Sequence, residues 1–512
     1  MSEFECLPAE SAGLLIRMIT RQGHYFRTSR LRYPEIGCPR RAAAPLIRLG
    51  WIDPHPSLSP TQLCHLLKKV ELWSMLGLHG HTRTVRKSAL AQLVASLDDD
   101  SKPLDKWWPE APDQVLHVTI APLCERLRLM FFGNFRQDWS EFVLADLGIF
   151  RYEAVPVDES ARAFQNREQI EHFHALFRAQ ELLHGEAPLE DVLASIPDVL
   201  PGCSWIAARR SKLLFFIAQR YERSGDLQKA LALHIDSRHP QARVRAIRML
   251  ERLDRPSEAA ELLAGAQDAP TSELEAQHLT RILPRLHRKL GMPMRRPRTR
   301  GGWESFELEL PRDETLGSVE HVVSHHLSTP QSPVVFVENA LINSLFGLLC
   351  WDAIFAPVSG AFFHRFQAAP ADLLDVDFRK RRTVQFAACF ALLERGEHRP
   401  AILQAFERKA GIQSPFVAWR LLTRELLELA LACLPAVHLQ KYFNRLLSDI
   451  HSNRGGLPDL IQLWPRERRY RLIEVKGPGD RLQDNQMRWL SFCSAHEMPV
   501  SVCKVSWKAS SP

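Results

Sequence analysis

Three residues near the C-terminal end could do metal-assisted chemistry together. They are Asp459, in GGLPDLIQLW (455–464), and Glu474 and Lys476, in RYRLIEVKGPGD (469–480). In the second stretch Leu472, Glu474 and Lys476 alternate with Arg471, Ile473 and Val475, and the run stops at the turn signal Gly477-Pro478-Gly479. Such alternation predicts a strand, on which residues two apart share a face. An acid and an amine on one apolar face also make an edge salt bridge, so the reading depends on what else reaches that face. DLIQLW (459–464) reads as a second strand after Gly455-Gly456 and Pro458, and the short charged connection predicts an antiparallel hairpin. With a loop of four or six residues the register sets Asp459 opposite Glu474 or Lys476; an odd loop without a bulge sends it to the other face. Two carboxylates crowded beside a lysine repel each other unless a divalent cation lies between them. Their oxygens suit Mg2+ or Mn2+, whose retained waters can be deprotonated and aimed at phosphorus. Lys476 could position that water or meet the charge developing on phosphoryl oxygens.

The elements that must carry this group belong to a long chain. At 512 residues it exceeds a single core, and three or four domains are expected. It is 45% hydrophobic and 24% charged, as a soluble protein with real cores should be. MSEFECLPAE at the N-terminus is acidic and has no apolar signal core. The most apolar window, 341–363, contains Asn343 and Asp352 and predicts a buried helix rather than a membrane span. The 10 cysteines have no CxxC spacing, which predicts reduced thiols without zinc and a cytoplasmic protein with no membrane partner. The pairs His79 and His81, His172 and His174, and His325 and His326 lack metal-ligand spacing to partners.

Net charge is only +7, so its distribution matters more than its total. Arg27, Arg30, Arg32, Arg40 and Arg41 lie among Tyr25, Phe26 and Tyr33; Arg83, Arg86 and Lys87 lie at the start of a predicted helix. Further arginines crowd 294–300 and 465–471. Any one cluster is commonly a solvated face, but four of them, two with interleaved aromatics, point to a polyanion whose phosphates need neutralising.

Five regions follow from the patterning. Residues 1–57 read as a basic helical region broken at prolines, and 58–100 as a helical hairpin around the turn Gly77–Gly80. Residues 101–293 read as a helical solenoid. In it Ala218, Tyr221, Gly225, Ala230 and Leu231 have tetratricopeptide-like offsets, and Asp254 and Ala259 repeat the places of Gly225 and Ala230. An Arg/Pro linker (294–302) precedes helices to about 452 and a strand-rich end; this last region is 303–512, with its core at about 400–507.

PD (458–459) and EVK (474–476) match the PD-(D/E)xK nuclease pattern, and 455–505 resemble the VRR-NUC domain through GGLPDLIQLW and RLIEVKGPGDRLQDNQMRWL. The arrangement is similar to the Fanconi-associated nuclease branch. VENALINSLFGLLCWDAIF (337–355) resembles that branch's upstream catalytic helix, and 58–97 resembles, more loosely, the DNA-binding SAP module. The resemblance implies a mainly α protein: helical N-terminal, SAP-like and degenerate TPR-like parts, then a C-terminal α/β restriction-endonuclease-like domain. It implies a third acid, Glu338, in an EGS-like position that here reads Glu338-Asn339-Ala340. An acid in the first turn of an apolar helix is also favoured for its own sake. Asp352 is the rival, about 21 Å further along a continuous helix, and on this reading a buried structural acid. The implied metal ligands are Glu338, Asp459, Glu474 and the Val475 carbonyl. Lys476 and Gln486 are implied to be catalytic, Gln486 orienting the scissile phosphate or Lys476. Asp480 is expected to cap the helix carrying Gln486. Asn485 is uncharged where animal relatives carry a basic residue for a 5′-phosphate.

The expected DNA contacts are Arg27, Arg30, Arg32, Arg83, Arg86 and Lys87. The implied activity is a structure-specific DNA nuclease, a 5′-flap endonuclease and 5′–3′ exonuclease of the phosphodiesterase I type. It would act on 5′ flaps and on branched or crosslinked DNA, as a monomer or weak dimer. The alternatives are a Holliday-junction endonuclease and, outside catalysis, a DNA-structure-binding scaffold with an inactive nuclease fold. Retention of Asp459, Glu474 and Lys476 together argues against the scaffold.

Overall fold

Alternating and helical patterns both find partners in the computed structural model. It describes every residue except 1, 22, 79–84, 98–99, 135–136, 138–140, 143–145, 157–161, 186, 294–301, 312–316 and 509–512. The linker at 294–301 and Arg83 therefore lie outside the described residues. The chain divides into two units, 1–141 and 142–512.

In the first unit the helices Ala9–Ile19 and Pro39–Arg48 bury Leu14, Leu15, Met18, Ala42, Ala43 and Leu46. They pack on a small antiparallel sheet of order β1-β3-β2, in which β1 is Tyr25–Arg27, β2 is Ile52–Asp53 and β3 is Val115–Val118. This corrects two expectations: the N-terminal region is not purely helical, and 115–118 join its core rather than the solenoid. The run VLHV is too short to identify as a strand by itself; pairing of Tyr25 with His117 and Ile52 with Val118 makes it one. The described residues of 58–100 hold three helices, Pro60–Leu66, Lys69–Met75 and Lys87–Leu97, instead of the simple hairpin expected. Its first helical pattern breaks at extended Leu67, where the Glu71 carboxylate accepts the Lys68 N–H at 2.6 Å and restarts the helix.

In the second unit the helices Ser204–Ser224, Leu227–Asp236, Ala242–Arg252, Pro256–Asp268 and Glu273–Lys289 each pack on the next. Gly225 (φ 90°) and Asp254 (φ 54°) both take left-handed backbone at equivalent turns, and Ala230 and Ala259 are both fully buried.

The remainder is a helical layer on a five-stranded sheet of order β4-β8-β7-β6-β5. The strands are β4 Glu304–Leu310, β5 Val334–Phe336, β6 Leu460–Trp464, β7 Arg469–Lys476 and β8 Val500–Trp507. β8 runs parallel to β4 and β7, whereas β5, β6 and β7 are antiparallel. β4 and β5 lie upstream of the expected strand-rich end. On one sheet face Ile461, Leu463, Tyr470 and Leu472 belong to the same core as Leu341–Leu349, a helix buried at all nine positions. On the other, Leu460, Ile473 and Val475 pack against Val322 and Val323 of Val319–Leu327. No helix is long and apolar enough to cross a membrane among the described residues, and all ten cysteines are free of disulfides.

Candidate active site

The hairpin joins β6 to β7 through the four residues 465–468, ending on the pair Trp464 and Arg469. Leu460 pairs with Ile473, so the next step of the register puts Asp459 opposite Glu474 and on its face. Asp459 is the hub. Its Oδ2 accepts the Val475 N–H at 2.8 Å, and its carbonyl accepts the Val337 N–H at 2.8 Å. That second bond brings Glu338, the next residue, beside the hairpin.

Pro458 adds a consequence of its own. N–H and C=O of one strand residue point to the same side, and Val475 directs its N–H toward β6. The residue facing Val475 in the register is Pro458, which has no N–H, so the Val475 carbonyl receives no ladder bond there.

Glu338 does not lie in the first turn of the buried helix. It occupies the turn between β5 and that helix, with an exposed side chain. Asn339 shapes this turn in left-handed backbone (φ 51°), donates to Glu338 Oε1 at 3.1 Å and accepts the Leu457 N–H at 3.1 Å. The turn is thereby clamped to the segment leading into Asp459.

Burial dominates the electrostatics. Glu474 is completely buried and pushed up to about 8, first by desolvation and then by Asp459, with Glu338 adding to it and Lys476 opposing it. Asp459 is pushed up to about 6, again chiefly by burial; the Val475 N–H and Lys476 lower it, and Glu320 and Glu338 raise it. Lys476 Nζ lies 2.9 Å from Glu474 Oε1 and forms an ion pair with it. A fully buried carboxylate opposite a second carboxylate, with Lys476 beside it, is a donor set that fits a hard divalent cation. Among the described residues no three His, Cys, Asp or Glu side chains are already closed to metal-binding distances.

The rest of the expected residues separate. Gln486 lies half-buried in the first turn of the helix Asp484–Ala495, where its Oε1 accepts the Gln483 N–H at 2.8 Å; no hydrogen bond among the described residues joins it to Lys476. Gln483, not Asp480, caps that helix: the Asp480 carboxylate accepts the Gly477 N–H at 3.0 Å and closes the turn after β7. Asp352 is exposed rather than buried, because the apolar helix breaks at Cys350 and restarts as Trp351–Ile354.

Arg27 is corrected most sharply. Only 4% of its side chain is exposed; its guanidinium donates to both Glu71 oxygens at 2.6 and 2.7 Å and to Asp113 at 2.8 Å. Tertiary acids 44 and 86 residues away claim it, which no local pattern could reveal. Arg30, Arg32, Arg86 and Lys87 are exposed. Sequence patterning missed the role of Asn339 in clamping the Glu338 turn. The alternation in ESFELEL (304–310) could have announced β4.

Two family models match the chain: the VRR-NUC domain over 393–507 and the FAN1 HTH domain over 1–53. The Fanconi-associated nuclease 1 homolog of Pseudomonas aeruginosa is 49% identical over 507 residues, 99% of this chain and 91% of that protein. The homolog of Arabidopsis thaliana is 26% identical over 574 residues, and the match spans 64% of its length. In structure, the chain is similar to crystalline paFAN1 bound to gapped DNA with a 2-nt 5′ flap. The TM-score is 0.91 at 49% identity, covering 100% of this chain and 93% of that one.

Proposed function

This chain belongs to the Fanconi-associated nuclease 1 family, with a VRR-NUC nuclease domain, and on that footing we propose that it hydrolyses DNA phosphodiesters beside a 5′ end or flap. The observation that carries this reading is the pairing of Asp459 with Glu474 across the hairpin, the Glu474 carboxylate fully buried. The DNA in the similar crystal structure supports the 5′ flap as substrate.

In this reading the carboxylates of Asp459, Glu474 and Glu338 and the Val475 carbonyl hold Mg2+ or Mn2+. The ion supplies positive charge for phosphoryl oxygens and acidifies the attacking water. Asp459 is preorganised by its bond from Val475 and by the main-chain bond from Val337. Lys476 Nζ lies beside Glu474 and would stabilise charge developing on the phosphate. Gln486 spends its carbonyl oxygen on the helix start and keeps its NH2 group to orient the scissile phosphate. The activity is of the phosphodiesterase I type.

Arg30, Arg32, Arg86 and Lys87, together with Arg83, grip DNA phosphates, with 58–100 serving as a SAP-like module and the helical repeats as a TPR-like scaffold. End-labelled 5′-flap, 3′-flap and four-way-junction DNAs, each with Mn2+, Mg2+ or EDTA, test the proposal. The 5′ flap is cut with either ion and spared in EDTA. Cutting in EDTA, or preference for the four-way junction, overturns it.

A further inference from the structure

The helix Glu273–Lys289 ends the run of helical repeats, and one of its faces meets the nuclease domain. Glu273, Gln277 and Arg281 are spaced by four and so share that face. Each finds its partner in or against the helix Asp484–Ala495. Both terminal nitrogens of Arg281 donate to the Asp484 carboxylate. Gln277 donates to the Asp484 carbonyl at 3.4 Å and accepts from Arg488 at 2.5 Å. Glu273 accepts from Arg445 at 2.8 Å. Arg445 belongs to the helix Ala436–Ser448, and its buried guanidinium lies over Trp489 and Phe492, 4.7 and 4.3 Å from their ring centroids. As the repeat helix advances from 273 to 281, its partners run back from Phe492 to Asp484. The two helices are therefore antiparallel and joined at three successive turns.

The helix Asp484–Ala495 also meets the segment that delivers Asp459. Trp489 donates to the carbonyls of Asn453 and Gly455, and Asn485 lies against Gly456. One helix thus touches both the last repeat and the approach to Asp459, and its first turn carries Asp484 and Gln486 together. The Arg281–Asp484 pair is about half exposed, and such a pair adds little stability. A guanidinium on both oxygens of one carboxylate does fix direction, and the direction fixed here is that of the turn bearing Gln486.

We propose that the last repeat helix positions the active site, with Arg281 as its positioning residue: through Asp484 it sets the first turn of the following helix so that Gln486 meets the scissile phosphate. The repeats then serve the chemical step as well as the architecture, and Arg281 acts without touching DNA. The inference rests on the assignment of Gln486 to the site.

The test uses full-length protein at saturating Mn2+, in excess over end-labelled 5′-flap DNA, and measures single-turnover cutting. DNA affinity across a salt series and thermal midpoints are measured beside it. Arg281→Ala should slow cutting by about tenfold, since misplacing a catalytic group by about 1 Å can cost that much or more. Its DNA affinity, salt slope and midpoint should be those of wild type. Asp484→Ala should slow cutting equally, and the double variant should be no slower than the slower single one. On a Gln486→Ala background, Arg281→Ala should cost nothing further. A rate within twofold of wild type for Arg281→Ala overturns the proposal, as do losses that multiply in the double variant. Weaker binding with a flatter salt slope makes Arg281 a phosphate contact instead, and slowing that tracks a lowered midpoint makes the contact purely structural; either result overturns it too. Gln486→Ala separates the two levels: a wild-type rate sinks the parent assignment of Gln486, whereas a slow Gln486→Ala beside an unaffected Arg281→Ala sinks only the role of the last repeat.

Discussion

Asp459 and Glu474 each sit above the ordinary carboxylate range because burial disfavours their charged forms. The sign follows directly. Groups raised in the folded state contribute stability that is present below the unfolded carboxylate range, near pH 4, and lost as pH rises through about 6 for Asp459 and about 8 for Glu474. Cation binding must displace those protons, so Mn2+ affinity should rise by at least about tenfold between pH 6 and 8, with proton release measurable by calorimetry in buffers of different ionisation enthalpy. A flat affinity over that window would contradict the assignment. For the reaction itself, Asp459→Ala and Glu474→Ala should each cut flap DNA at under about a hundredth of the wild-type rate, a loss of roughly 3 kcal/mol or more. DNA binding should be unchanged or tighter, since each removed acid repelled phosphate. Lys476→Ala should lose rate while keeping its Mn2+ affinity.

Among the elements, the helix Asp484–Ala495 depends on how closely it meets the segment before β6. Gly456 has φ 86°, and a side chain there would begin 2.8 Å from Asn485. Trp489 donates its indole N–H to the carbonyls of Asn453 and Gly455 at 3.1 and 3.2 Å, holding the same approach from the helix side. Gly456→Ala should therefore cost about 1–3 kcal/mol from backbone strain, with the clash added. It should also slow flap cutting by displacing Gln486 and the approach to Asp459; an unchanged thermal midpoint would show that the close approach relaxes freely. Here the GG of the motif acquires a physical reason: one of its glycines is required by a helix almost thirty residues later.

At the scale of the whole molecule, basic residues divide into those that hold a unit together and those left for a partner. Arg27 holds the first unit: hydrogen bonds from Ser29, Thr28 and Arg27 keep Asp113 at about 2 although burial alone would raise it. Arg27→Ala should destabilise that unit by about 3–5 kcal/mol, because it strands buried acids. Neutral substitutions at exposed Arg30, Arg32, Arg86 and Lys87 should instead leave the melting profile alone and flatten the dependence of log Kd on log salt, by nearly one in slope for each phosphate no longer neutralised. If the slope is unchanged, these residues are an ordinary solvated face. Local patterning alone was enough for the hairpin and for the condition that an even loop sets Asp459 on the face of Glu474 or Lys476, because strand period is a property of neighbouring residues; the four-residue loop that selects Glu474 was decided by the fold. It also announced the equivalence of Gly225 and Asp254, since both answer the same demand for left-handed backbone at a helix turn. Folding in three dimensions was needed to make Arg27 an internal ion-pair partner, to turn 115–118 into a strand and to leave Asp352 facing solvent. Each of those outcomes depends on meeting residues far along the chain, and no local period or propensity encodes which distant charge or strand will arrive there.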